Sequence, residues 1–365
     1  MTTQADFKAR VRARMSKTGE SYTAARAQLL EEAPTSPARP DSTLHLTNGD
    51  ATVPGLQAMG LGGTIEPWRD VLHEGPVPDV PEADLRRIRS RFLETYGAAG
   101  AGTELEFSRR DQTLVDHRDG EYVLWFEADL YDQLQLIQIL ARLHDLEVPA
   151  SSITLICIGE FPGIAHFGGL GELDSDQLAR LPGMAATALT SAGLRHATRA
   201  WAAFRAADPS GIAEITATPS RELRFVAEAF DRLSREYPST RDGLSLTERR
   251  ILAAFGDDHT AAGAAFVQTG TREIRPYLGD YWSFNAMARL LTASVPLLES
   301  ERGVANVTRH TRLRLTDFGR RVLEGSEDYV TTNGIDRWIG GVHLAGHLVP
   351  WRWNEGTESI TAEPR

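Results

Sequence analysis

The sequence predicts an α/β protein: a mainly parallel sheet domain with flanking helices, followed by a smaller winged-helix-like α+β domain and preceded by a short helical hairpin. Three observations carry this. Between residues 42 and 200, short apolar runs alternate with amphipathic stretches, the pattern of a parallel sheet covered on both faces. Near "PSTRDG" (238–243) that rhythm breaks. Beyond the break, three helical stretches precede "TRLRLTDFGRRVLEG", which reads as a strand turning into a helix.

The N-terminal part, 1–34, reads as a helical hairpin. Phe7, Val11 and Met15 recur every four residues in "DFKARVRARM", and Gly19 separates this stretch from "SYTAARAQLLEEA". "KTGESYTAARAQL" resembles helical segments at the N-termini of various bacterial proteins, which implies docking or dimerisation and leaves a homo-oligomer open. Residues 35–41, inside "APTSPARPDS", form a proline-rich linker.

The α/β domain is expected over 42–238. "STLHLTNGD" is a strand entering a turn, and "GTIEPWRDVL" a second strand. "PEADLRRIRSRFLETYGA" is a helix with Pro81 and acidic residues at its start and Gly97 past its end. "EYVLWFEADL" is a third strand, "YDQLQLIQILARLHDL" an amphipathic helix, and "SSITLICIGEF" a fourth strand. "SDQLARL", "MAATALTSAGLRHATRAWAAFRAA" and "RELRFVAEAFDRLSREY" follow as helices. The winged-helix-like domain with its C-terminal hairpin is expected over 239–365. It opens on "LSLTERRILAAF", where Ser245 and Glu248 form a capping box.

Composition narrows the function classes. The chain has 365 residues, 41% hydrophobic and 24% charged, ordinary for a folded soluble protein. A net charge of -11 argues against nucleic acid and anionic membrane as default partners. The single cysteine, Cys157, lies in the apolar run "ITLICIG", so the fold needs no disulfide and a reducing cytoplasm fits. The basic start lacks the apolar core of a secretory signal, and no run is long enough to span a bilayer.

In an open parallel sheet, ligands bind beyond the carboxyl ends of the strands. The residues expected there are polar. Asn48, Gly49 and Asp50 follow the first strand. Trp68, Arg69 and Asp70 follow the second, with His73, Glu74, Gly75 and Pro76 after them. Glu127, Asp129, Tyr131, Asp132 and Gln133 follow the third, and Glu160 the fourth. Carboxylates sharing a rim push one another's pKa apart, giving one proton donor and one base. Asp50, Asp70, His73 and Glu74 are therefore the catalytic candidates. Asn48, Gly49, Trp68, Arg69, Gly75, Glu127, Asp129, Tyr131, Gln133 and Glu160 are the ligand-binding candidates, with Arg69 suited to a carboxylate or phosphate.

Each has a plainer reading. Asp50 is at least as well explained as a helix cap, Asn48-Gly49 as a turn, Trp68 as packing, and His73 as a loop residue. Glu127 and Asp129 sit where a helix dipole favours negative charge. No H-E-x-x-H or paired-cysteine spacing points to a metal, and no cofactor is legible. "GGLGEL" (168–173) is weak evidence for phosphate binding.

The pairing of "HLTNGDA" with "DVLHEGP" resembles the N-terminal domain of a bacterial family catalogued only as a domain of unknown function. Gly49, Asp50, Asp70, Leu72, Gly75 and Pro76 carry the match, with "LWFEADLYDQLQLIQIL" and Gln133 in its third element. The resemblance spans roughly residues 42–200. It implies a winged-helix-like partner domain and no established reaction. Its pattern holds neither His73 nor Glu74.

At the C-terminal end, "TNGIDRWIGGVHLAGHLVPWRW" (332–353) reads as a hairpin. It either seals a seam between domains or brings Arg337, Trp338 and His343 over the rim site. The functional expectation is a cytoplasmic bacterial protein that binds a polar or anionic small molecule, with acid–base chemistry left open. The alternatives are a transcriptional regulator or a protein-interaction adaptor. Against the regulator, the candidate recognition helix carries one basic residue, Arg289, although Arg309, Arg312 and Arg314 lie in the candidate wing.

Overall fold

The structure, a computed structural model, describes residues 42–362. The expected hairpin at 1–34 and linker at 35–41 lie outside the described residues. Five strands form the main sheet: β1 (Thr43–Thr47), β2 (Thr64–Pro67), β3 (Glu121–Glu127), β4 (Ile153–Ile158) and β5 (Ala186–Ala188). Their order is β2-β1-β3-β4-β5; the first four are parallel and β5 is antiparallel to β4.

Side-chain alternation along the strands builds a core on each face. Leu44, Leu46, Leu124, Phe126, Leu155 and Cys157 point into one large cluster, while Trp125, Ile156 and Ile158 point into the other. The larger cluster is closed by a long helix, α4 (Leu130–Asp145), and by α6 (Ser191–Arg205) behind it. The opposite face is covered by α1 (Val53–Ala58) and α5 (Ser175–Ala185).

The helices α2 (Glu82–Thr95) and α3 (Thr103–Asp116) pack together as a pair. The second was not expected, because "TELEFSRRDQTLVD" has a polar composition with few apolar anchors. It buries Phe107 and Leu114 and also Arg110, whose guanidinium lies 3.6 Å from the centre of the Trp68 ring. The stretch expected as one long helix from Met184 divides at Ala186–Ala188, which joins the sheet edge. Thr190 then caps α6. Two further helices, α7 (Ser210–Ala217) and α8 (Val226–Ser234), complete this part.

A second core follows. Helix α9 (Leu246–Leu252) begins at the reciprocal Ser245–Glu248 capping box. After it come β6 (Thr260–Ala261), α10 (Ala262–Gly270), α11 (Asp280–Leu291), β7 (Leu298–Ser300), β8 (Arg312–Leu315) and α12 (Asp317–Glu324). The three strands form an antiparallel sheet of order β6-β8-β7. Leu252, Met287, Leu290, Leu298, Leu313 and Val322 fill the space between.

The last segments return to the first core. A short helix, α13 (Tyr329–Asn333), leads to two antiparallel hairpins: β9 (Ile335–Ile339) with β10 (Val342–Gly346), and β11 (Trp351–Asn354) with β12 (Ser359–Ala362). Ile339, Val342, Leu344, Val349 and Trp353 belong to the same cluster as Leu44 and Leu124. The tip of the first hairpin is Gly340-Gly341. Gly341 N donates to Phe204 O at 2.9 Å, and Gly340 O accepts from Val77 N at 2.8 Å. A Cβ on Gly341 would stand 1.7 Å from Arg205 O, so only glycine fits.

Candidate functional site

The strand order reverses once, between β1 and β3. Crevices at such reversals, beyond the strands' carboxyl ends, are where open α/β sheets place ligands. Asn48 leaves β1 at this point and Glu127 ends β3. Asn48 Nδ2 donates to Glu127 Oε1 at 3.2 Å and to Asp132 Oδ1 at 2.8 Å. Asp132 Oδ2 accepts from Glu127 N at 2.5 Å. Asp129 caps α4 by accepting from Asp132 N at 3.0 Å. Tyr131 Oη donates to Asn48 O, and Gln133 Nε2 donates to Glu127 O.

The loop after β4 closes the crevice. Gly169 lies so close to Glu127 that a Cβ there would meet its carboxylate at 2.5 Å. This approach lets Leu170 N donate to Glu127 Oε1 at 2.7 Å. The glycine-rich "GGLGEL" thus serves a carboxylate of the protein itself.

Three carboxylates share a space from which water is largely removed. Burial, reinforced by the neighbouring Asp129 charge, pushes Glu127 up to about 7. Burial pushes Asp129 up to about 6, opposed by the backbone amides that cap onto it. Asp132 is raised well above the ordinary aspartate value by burial and by its two neighbours. The cluster therefore holds protons at neutral pH, and Glu127 exchanges one there. Oxygens of the three groups lie within 4.8 Å of one another, a spacing open to a hard divalent cation. Several of those oxygens already accept hydrogen bonds from Asn48, Leu170 and backbone amides, which occupies lone pairs that a metal would need.

Solvent reaches this cluster through a recess of about 30 Å³, lined by Glu127, Asp129, Gly168, Gly169 and Arg275 among others. That is room for about one water-sized group. The recess adjoins a cleft of about 1070 Å³ between the β4 exit loop and residues 267–276 of the second core.

The other sequence candidates are spread out. Asp50 and Arg69 form an exposed ion pair at 2.6 Å, and Gly49 sits in the turn before them. Asp50 does not cap α1, whose N-cap, Thr52, makes no side-chain bond. Asp70 is buried and paired with Arg89 at 2.7 Å. The "DVLHEGP" loop wraps that guanidinium: Arg89 also donates to the carbonyls of Val71, Glu74 and Pro76. Gly75 lies against the Phe92 ring. Trp68 is buried and donates to Gln138 Oε1 at 2.8 Å.

His73 meets the ring edges of Tyr131 and Tyr277 at 5.7 and 5.1 Å between centroids, and its ring nitrogens are out of solvent with no hydrogen-bond partner among the described residues. Burial pushes its imidazole down to about 3, which leaves it neutral and weakly basic. Glu160 is exposed on the cleft wall. Arg337 pairs with Glu236 at 2.5 Å, and Trp338 and His343 stack on one another at 4.4 Å. Arg337 thereby ties β9 to the helical layer, while the exposed His343 pairs with Asp336 on the same hairpin at 2.7 Å.

The residues that meet at the crevice are thus Asn48, Glu127, Asp129, Tyr131, Asp132 and Gln133. Sequence reasoning did not find Arg224 or Arg275, because neither lies near a strand end in the chain. The chain matches no known protein-family model and no curated protein.

Proposed function

We propose that this protein binds a small polar or anionic molecule in the cleft above the β1/β3 crevice and transfers a proton to or from it. Glu127 is the exchanging group, and Asp129 and Asp132 set its affinity for the proton. The observation that carries this reading is a carboxyl group pushed up to about 7 beside a ligand-sized cleft, since general acid–base groups work best near ambient pH. Asn48, Tyr131 and Leu170 N hold the cluster in register. Asp50 and Asp70 are committed to Arg69 and Arg89, and none of Asp50, Asp70, His73 and Glu74 lines the recess or the cleft.

The test is incubation of the wild type and Glu127→Gln with a bacterial metabolite extract in D2O, read by mass spectrometry. Altered or deuterated species formed by the wild type alone support the reading. Identical profiles for both proteins defeat it.

A second reading rests on the order helix, strand, helix, helix, strand, strand in the second core, with its middle strand last in sequence. That order supports a winged-helix-like unit. Two of its three wing arginines face carboxylates, Arg314 with Glu299 at 2.5 Å and Arg312 with Glu301 at 3.4 Å, while Arg309 is exposed. This supports a protein-facing surface over a DNA-facing one. Retardation of random duplex in a low-salt gel would restore the regulator, because non-specific binding is strongest there.

A further inference from the structure

The large cleft has a charge distribution of its own. Arg224 and Arg275 both approach the Phe225 ring, at 4.6 and 4.8 Å from its centroid. Two guanidinium groups around one ring repel each other unless anions answer them. Arg275 has an answer in Glu228 at 2.8 Å. Arg224 has none: among the described residues it makes no ion pair. Its Nη2 donates instead to Cys157 O at 2.9 Å, which fixes it at the carboxyl end of β4. Arg275 comes from the second core and donates to Gly159 O, just beyond the same strand. Two cations from opposite walls are thus anchored on backbone carbonyls at one strand end.

Much of the remaining lining is apolar and aromatic, with His166 and Thr271 among its polar members. Phe161, Phe167 and Phe225 face the cleft, and Ile274 is 85% exposed on its wall. Two carboxylates also line it. Glu273 is committed to Arg232 and Arg250, and Glu160 stands exposed at the rim. A volume of about 1070 Å³ suits a small organic ligand, typical ligand sites being roughly 300–1,000 Å³.

We propose that the ligand is a small organic anion with a flat apolar body. Its carboxylate, sulfonate or phosphate sits on Arg224 and Arg275, and its body lies on Phe161, Phe167 and Phe225. This assigns the ligand class for the site proposed above and rests on that reading. Arg275 makes the site composite, since the anion is held by both cores at once. The ligand's reacting end then faces the recess at Glu127 and Asp129, which Arg275 also lines.

The test uses 8-anilinonaphthalene-1-sulfonate as an aromatic anion and N-phenyl-1-naphthylamine as its uncharged counterpart. Binding to the full chain is followed by fluorescence. Phenyl phosphate and inorganic phosphate serve as competitors. Arg224→Ala is expected to weaken the sulfonate about tenfold or more, the scale of one charge-assisted contact, and to leave the amine unchanged. Arg224→Lys is expected to recover part of the loss, and Arg275→Ala to act in the same direction. Phenyl phosphate is expected to displace the sulfonate at concentrations where inorganic phosphate does not. Equal sulfonate affinity in Arg224→Ala and wild type overturns the proposal. So does an equal loss of both probes, which would report general apolar adsorption or a collapsed cleft. At pH 6, where the wild-type carboxyl already holds its proton, Glu127→Gln is expected to keep sulfonate affinity within about twofold. Anion binding retained alongside an ordinary Glu127 titration would sink the acid–base reading and spare this one.

Discussion

Replacing Glu127 with glutamine removes a charge that folding has to desolvate. The folded carboxyl is raised from 4.5 to about 7. At 1.36 kcal/mol per unit this shift corresponds to about 3 kcal/mol, and partial solvent access reduces it to about 2. Between pH 4.5 and 7 the folded state holds the proton and the unfolded state has released it. Stability of the wild type therefore falls as pH rises through that window and levels off above it. Glutamine keeps an oxygen for Leu170 N and has no charge to bury. We predict that Glu127→Gln is close to neutral at pH 5 and about 2 kcal/mol more stable than wild type at pH 8. Urea unfolding of both proteins at pH 5, 6, 7 and 8 measures this, with the exposed Glu160→Gln as the control. Parallel stability curves for wild type and Glu127→Gln would refute the raised carboxyl and, with it, the proton-exchange role.

We further predict that Asp70→Ala costs about 3–5 kcal/mol, because it strands the buried Arg89 charge. Asp50→Ala is expected to cost under about 1 kcal/mol, its pair with Arg69 being exposed. Chemical denaturation separates the two, and equal effects would contradict the burial difference. Glu236 is held well below the usual carboxylate range by Arg232 and Arg337 against the cost of burial. Its contribution is present above about pH 4.5 and is lost as pH falls toward its folded value. Arg337→Ala should therefore destabilise at pH 7 and lose less on further acidification than wild type does. A constant difference across acid pH would argue against that coupling. Gly341→Ala should prevent stable folding, because its methyl group would overlap Arg205 O. A soluble, wild-type-like melting transition would show that the hairpin tip can move.

Much of the architecture was readable because it depends on local pattern. The apolar run at Ile153–Ile158, the amphipathic Leu130–Asp145 and the Ser245–Glu248 box each declare themselves within a few residues. Helix α3 did not, because part of its buried face consists of Arg110 and Asp111, which pair with each other and with residues distant in sequence. The rim was legible as a location. Its working members were not, because burial decides among carboxylates and burial is not a local property. Asp70 and Glu127 are both acidic residues at strand ends. One meets a guanidinium 19 positions away, and the other meets two more acids and a glycine loop. "GGLGEL" is weak evidence for phosphate binding in sequence, because backbone amides serve any carboxylate or phosphate alike. Arg224 and Arg275 enter from helices and loops far along the chain, so no motif could carry them.

The Gly340-Gly341 tip also bears on how the molecule is made. It docks on Val77 and Phe204, and its flanking strands fill the core begun by Leu44. Contacts spanning nearly the whole described chain must form before that core is sealed. A nascent polypeptide emerging from the ribosome carries the parallel sheet out first and its cover last. Until residues beyond about 340 appear, one face of the larger core stays open to water and to other chains. Such late-closing topologies fold slowly and expose apolar surface while they wait. C-terminal truncation is therefore expected to yield aggregation during synthesis.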